Sequence, residues 1–303
     1  MIRALVVLFA MLAANSGLGA AQTTAPADGI SNDAGNNSGN DVSSKQPTPH
    51  SNSAARPSSG EDSAAENELL EAANKSRELA GALPLRMDES LREAARAHGR
   101  RMIASERLDH QLSGEPSLLE RIGLVSPLKM DRVGENLAYA TCAPDANEAL
   151  MHSPPHRENL LDRGFNVVGI VAIWSQGKLY VVQDFAHEVA SYSVQESGKL
   201  VGRAIDEMRQ QAGLPKLVQR TPANLDEATC SLAREDRPNA HLLAAAYDNR
   251  RIIAYTESRP EVLPVGALGP LRDPGVRQFA VGTCYARNAA YPTGTYWVAI
   301  LLY

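Results

Sequence analysis

The chain of 303 residues is poor in several things at once. Aromatic residues make up 5% of it, too few for a surface built on stacking platforms for sugars or single-stranded nucleic acid. No cluster of Lys and Arg occurs, and 35 acidic against 30 basic side chains leave a formal charge of −5. Phosphate neutralisation needs a clustered basic surface, so no nucleic-acid partner is expected. Three cysteines are too few for a fold built on disulfides, and the odd number leaves at least one thiol unpaired within the chain. The longest apolar run, Ala4 to Ala14, is also short. A membrane span needs about 20 such residues, so no integral membrane segment is expected in the mature protein.

What is present is ordered along the chain. Arg3, the apolar run and the small residues up to Ala21 have the three-part layout of a secretory signal peptide, residues 1–21. That layout predicts a secreted protein, extracellular or periplasmic. Residues 22–62 are rich in Ser, Asn, Gly and Pro, and lack Leu, Phe, Tyr and Trp. They read as a disordered tether whose ends lie on the order of 35 Å apart.

The pattern Ser63-Ala64-Ala65-Glu66 predicts a capping box opening a helix that Gly81 and Pro84 end. A second helix is predicted from Asp88 to about Arg107, with His98 on its buried stripe as a core histidine. A short helix over Asp145 to Met151 must stop before Pro154 and Pro155. Those prolines also deny His152 and His156 a shared helical face for zinc, so His152 reads as a solvated loop residue. Phe165 to Trp174 and Leu179 to Phe185 form a predicted hairpin around Ser175 to Lys178.

The order then repeats. Arg77-x-x-Ala80-Gly81 returns as Arg209-x-x-Ala212-Gly213, with the next helix predicted to start at Thr221-Pro222. Ala138-Tyr139 matches Ala254-Tyr255, and Val168-Gly169 matches Val281-Gly282. The reading is two tandem modules, residues 63–190 and a reduced copy at 191–303, with chance resemblance between two α+β segments as the alternative; in that alignment Arg251 takes the place of Glu135. The second copy, lacking the candidate site, is expected to be a scaffold or partner surface. Cys230 on its second helix and Cys284 on its strand are the expected disulfide, leaving Cys142 free.

Four segments of the first module carry chemistry: Leu108-Asp109-His110, Gly134-Glu135-Asn136, Ser153-Pro154-Pro155-His156-Arg157 and Val168-Gly169. In order and spacing they resemble the CAP superfamily of cysteine-rich secretory, antigen 5 and pathogenesis-related proteins, in its bacterial secreted form with an SCP domain. The resemblance implies an α+β fold, a three-layer α-β-α sandwich with an open cleft holding two His and two Glu that can bind zinc. His110, Glu135 and His156 match three of the four. The fourth is Ser153 here, Pro155 replaces a glycine, and Leu150 stands where a tryptophan is common. His110, His156 and Glu135 are therefore candidate Zn²⁺ ligands, with Glu135 also a candidate base. A hydrogen-bonded network without metal remains the alternative. Functionally the resemblance implies an extracytoplasmic module binding a lipid, sterol or peptide. The alternatives are a metal-dependent hydrolase using Glu135 and a cell-envelope structural or interaction protein.

Overall fold

The computed structural model describes residues 59–244, 246–247 and 251–303; the signal-peptide segment and all of the tether before residue 59 lie outside them. The first unit runs β1 (Gly60–Glu61), α1 (Ser63–Leu79), β2 (Arg86–Met87), α2 (Glu89–Ser105), α3 (Leu118–Val125), β3 (Met130–Ala140), α4 (Ala143–His152), α5 (Pro154–Leu161), β4 (Val167–Ser175) and β5 (Lys178–Glu188). The second runs α6 (Val194–Gln211), β6 (Val218–Arg220), α7 (Leu225–Arg234), α8 (Ala240–Ala244), β7 (Arg251–Glu257), α9 (Val265–Leu271), β8 (Gln278–Ala286) and β9 (Thr295–Leu302). Among the described residues no helix is long and apolar enough to cross a membrane.

In β4 the two-residue period of a strand divides the side chains between two layers. Val168, Ile170, Ala172 and Trp174 join the core under α1, α4 and α5. Val167, Val171 and Ile173 face α2 and α3. The result is an α-β-α sandwich. Its sheet has the order β1-β4-β5-β3, with β2 parallel to β4 on the edge that β1 also uses. β3 is thus the opposite, outer strand. The β4–β5 turn has positive φ at Gln176 and Gly177, the backbone of a two-residue hairpin loop.

Gly169 marks where α2 lies on the sheet. A Cβ there would come within 2.2 Å of the backbone at Leu91 and Arg92, so only glycine admits the helix this closely. Gly282 does the same for α7, where a Cβ would meet the Leu225 carbonyl at 2.7 Å.

The second unit repeats the connectivity: its sheet is β6-β8-β9-β7, with β6 parallel to β8 and the other pairs antiparallel. A fully buried arginine recurs with it. Arg77 donates from Nε to the Leu83 carbonyl and from Nη1 to those of Leu160 and Asp162. Arg209 donates likewise to Pro215, Leu271 and Asp273. Each staples its first helix to the turn that leads into the central strand, satisfying carbonyls that would otherwise be buried unpaired.

Several expectations are corrected. Residues 60–62 are not tether: Gly60 and Glu61 pair with Trp174 and Ile173, and Asp62 caps α1 by accepting from Ala65 N. Ser63 therefore opens no capping box, and Glu66 instead pairs with Arg92. The helix predicted at Thr221-Pro222 begins at Leu225, behind Asn224 in the left-handed region. The helix at Asp145 to Met151 does stop before the prolines, as α4 ending at His152, and Pro154 and Pro155 then open α5, since the first turn of a helix needs no N–H donors.

Candidate functional site

The three residues singled out in the first unit meet at β3. Glu135 points toward α2 and α3, directly opposite Asp184 on β5, which in turn lies opposite Gly169 on β4. His110 follows α2 in a loop, and its Nδ1 lies 2.8 Å from Glu135 Oε1. With that nitrogen donating, the carboxylate fixes the ring's orientation. From α3, Arg121 donates to Glu135 Oε2 and to the carbonyls of His110 and Pro116, at 3.2 and 3.4 Å. His98 on α2 is fully buried, with Nδ1 2.9 Å from both Glu115 oxygens and Nε2 3.8 Å from Glu135 Oε2.

His156 arrives from the other layer, around the outer edge of β3. Asn159 donates to the Glu135 carbonyl at 3.1 Å and to Asn136 Oδ1 at 3.0 Å, while Asn136 donates to the His156 carbonyl at 3.0 Å. These bonds strap α5 to the strand and bring the His156 ring to 6.4 Å from that of His110, centre to centre.

The electrostatics separate two neighbouring acids. Burial pushes the Glu135 carboxyl up, but the His110 hydrogen bond and the charges of His98 and Arg121 outweigh it and hold the group below its ordinary range. Asp184 shares the burial and faces Glu135. Burial first, and then repulsion by Glu135, push it well above the carboxylate range. His156 is pushed down by burial and by His110.

As placed, Glu135 does not fit as a zinc ligand. Both Glu135 oxygens are engaged, one of them by a guanidinium that a bound cation would have to confront. Ser153, the junction between α4 and α5, supplies no carboxylate. Among the described residues no group of three His, Cys, Asp or Glu is arranged to hold a metal. Glu135 is held ionised between the His110 ring and the Arg121 guanidinium. What the geometry offers is a pair of imidazoles at a strand edge, His110 partly exposed, backed by a fixed ionic network.

The other candidates lie elsewhere. His152 is exposed at the end of α4, with Nδ1 2.9 Å from the Glu148 carbonyl, a helical rather than loop position. Cys142 is a free, half-buried thiol at the N-cap of α4. Cys230 on α7 and Cys284 on β8 are joined by a disulfide, with Cα atoms 5.1 Å apart. Sequence reasoning missed Arg121, Glu115 and Asp184, and gave His98 only a core role. The signal was a charge on an apolar stripe: Arg121 between Leu118 and Ile122, and Asp184 inside the run from Leu179 to Phe185.

Strand register also corrects the counterpart of Glu135 in the second unit. Gly282 is opposite Ala299, and Ala299 is opposite Ala254. Ala254, not Arg251, therefore occupies the Glu135 position, and Ala299 that of Asp184. Matching Ala138 to Ala254 is three residues out, an odd shift that exchanges the faces of the sheet. Counting from the shared contacts of Leu91 and Leu225 with the glycines, His98 corresponds to Leu232. From the carbonyls of Leu160 and Leu271 held by the arginines, His156 corresponds to Ala267.

Residues 70–185 match the model of the cysteine-rich secretory protein family, CAP. The uncharacterised protein YkwD of Bacillus subtilis is 32% identical over 123 residues, covering 38% of this chain and 46% of that protein. The match thus spans less than half of that relative. Among solved structures, an extracellular protein containing an SCP domain from Bacillus anthracis is 22% identical, covering 42% of this chain and 41% of its own, with a TM-score of 0.38. An outer surface protein of Borrelia burgdorferi is 17% identical, covering 43% of this chain and 99% of its own, with a TM-score of 0.40.

Proposed function

We propose that the protein, whose residues 70–185 match the CAP family model, is an extracytoplasmic binding module exported through residues 1–21. Its ligand, a lipid, sterol or peptide, is taken at the His110/His156 edge of β3. The observation that carries this reading is internal to the chain. Two units share a connectivity, a buried arginine staple and a glycine under the second helix. At the places of His98, Glu135, His156 and Asp184, the second has Leu232, Ala254, Ala267 and Ala299. The fold therefore does not need the polar network. A buried ionic cluster costs desolvation that apolar side chains avoid, so its presence in the first unit is best explained by a task at that edge. The second unit is then a degenerate CAP-like module that serves as scaffold.

The described part of the chain begins at the β1 edge of the sheet, opposite the β3 edge that carries the proposed site. His110 and His156 act as hydrogen-bonding groups for the ligand, His110 oriented by Glu135, and Glu135 kept ionised by Arg121.

Native mass spectrometry of the protein purified from its own secretion route, beside a His110→Ala/His156→Ala variant, tests the reading. The expected result is a bound molecule on the wild type that the folded variant loses. A wild type carrying nothing, or a molecule that the variant keeps equally, overturns it. Stoichiometric zinc surviving dialysis would restore the metal-centre reading instead.

A further inference from the structure

The helix that delivers Arg121 to Glu135 is held from the second unit. Pro127 has no N–H, so the Gly123 carbonyl near the end of α3 lacks the donor that a helix would supply four residues on. Arg287, just after β8, fills that place. Its Nη1 donates to the carbonyls of Gly123 at 3.0 Å and Ser126 at 2.6 Å, and its Nη2 to that of Leu128 at 2.9 Å. The fork geometry of a guanidinium suits several converging carbonyls, and its charge suits the negative end of a helix.

Two further contacts surround it. The Gly123 backbone packs so closely on Pro292 that a Cβ would lie 2.6 Å from the Pro292 carbonyl oxygen. Lys129, following α3, sits over the rings of Tyr285 and Tyr296, 4.0 and 4.8 Å from their centres, and donates to the Tyr296 hydroxyl at 3.1 Å. At the other side of α3, Arg121 holds Glu135 and the His110 carbonyl. Any shift of α3 is therefore passed to both.

We propose that Arg287 is a positioning residue for the site in the first unit: the second unit, which has lost the polar network, clamps α3 and thereby sets Arg121 against Glu135 and His110. This rests on reading that network as a site. The test uses no ligand, so a failure of the clamp is distinguishable from a failure of ligand binding.

In the full chain, hydrogen exchange over residues 118–128 and the His110 ring signal in a ¹H–¹³C spectrum are compared among wild type, Arg287→Ala, Arg287→Lys and Arg121→Gln. In Arg287→Ala the α3 amides should exchange at least about tenfold faster, as for a segment released from its packing. The His110 signal should move toward its position in Arg121→Gln. Arg287→Lys, which keeps the charge but not the fork, should fall between wild type and Arg287→Ala. A His110 signal unmoved while α3 loosens would make Arg287 merely structural, and unchanged α3 exchange would remove the clamp; either overturns the proposal. Should Arg287→Ala fail to fold, Arg287→Lys and Lys129→Met are judged by the same two readouts.

Discussion

Replacing Arg121 by methionine tests the ionic network most directly. The Arg121 and Glu135 side chains are 5% and 3% exposed, so the substitution strands a carboxylate with no water to solvate it. His110 remains as a hydrogen-bond donor to it. Removing one partner of a buried pair costs about 3–5 kcal/mol, most of it the stranded charge rather than the lost attraction. With a urea dependence of about 2 kcal/mol per molar, the first unit's midpoint should fall by about 1.5–2.5 M. Pulse-labelled hydrogen exchange along the urea titration reads the two units separately, and the second should be shifted far less. Adding Glu135→Gln removes the stranded charge while leaving an oxygen for His110, so the double variant should recover half or more of the loss. The reasoning is refuted if Arg121→Met costs less than about 1 kcal/mol, or if the double variant is no more stable than the single one.

Asp184 should behave in the opposite sense. An acid whose folded pKa is raised is most favourable to folding below the unfolded carboxylate range, near about pH 4. It loses that advantage as the pH rises toward the folded value. Asp184→Asn should therefore be more stable than wild type at pH 7, with the difference closing near pH 4. A variant less stable at pH 7, measured by urea midpoints, would mean that Asp184 is ionised and paired. For the cysteines, non-reducing peptide maps should show Cys230 linked to Cys284 and Cys142 open to alkylation. A disulfide peptide containing Cys142 would contradict this. Across a sequence separation of 54 residues the bond restricts the unfolded chain by about 4 kcal/mol, so Cys230→Ser/Cys284→Ser should destabilise the second unit selectively.

What the sequence by itself determined was local or carried by ordered motifs. Apolar spacing placed α1 and α2, turn residues placed the hairpin between β4 and β5, and the four chemical segments pointed to His110, Glu135 and His156. The paired Arg-x-x-Ala-Gly segments pointed to a recurring architecture, which the sheet connectivity repeats. Tertiary structure decided the rest, because the deciding contacts cross layers. That Glu135 is spent on His110 and Arg121 depends on α3 lying against β3, and no spacing in the chain encodes that approach. That Asp184 faces Glu135 depends on hydrogen-bond register between strands nearly fifty residues apart. The same register moved the counterpart of Glu135 from Arg251 to Ala254, since a strand's face changes with every residue while similar dipeptides recur at either parity. A string of residue types lists which charges exist; only packing shows which are buried together, and burial makes their pairing matter.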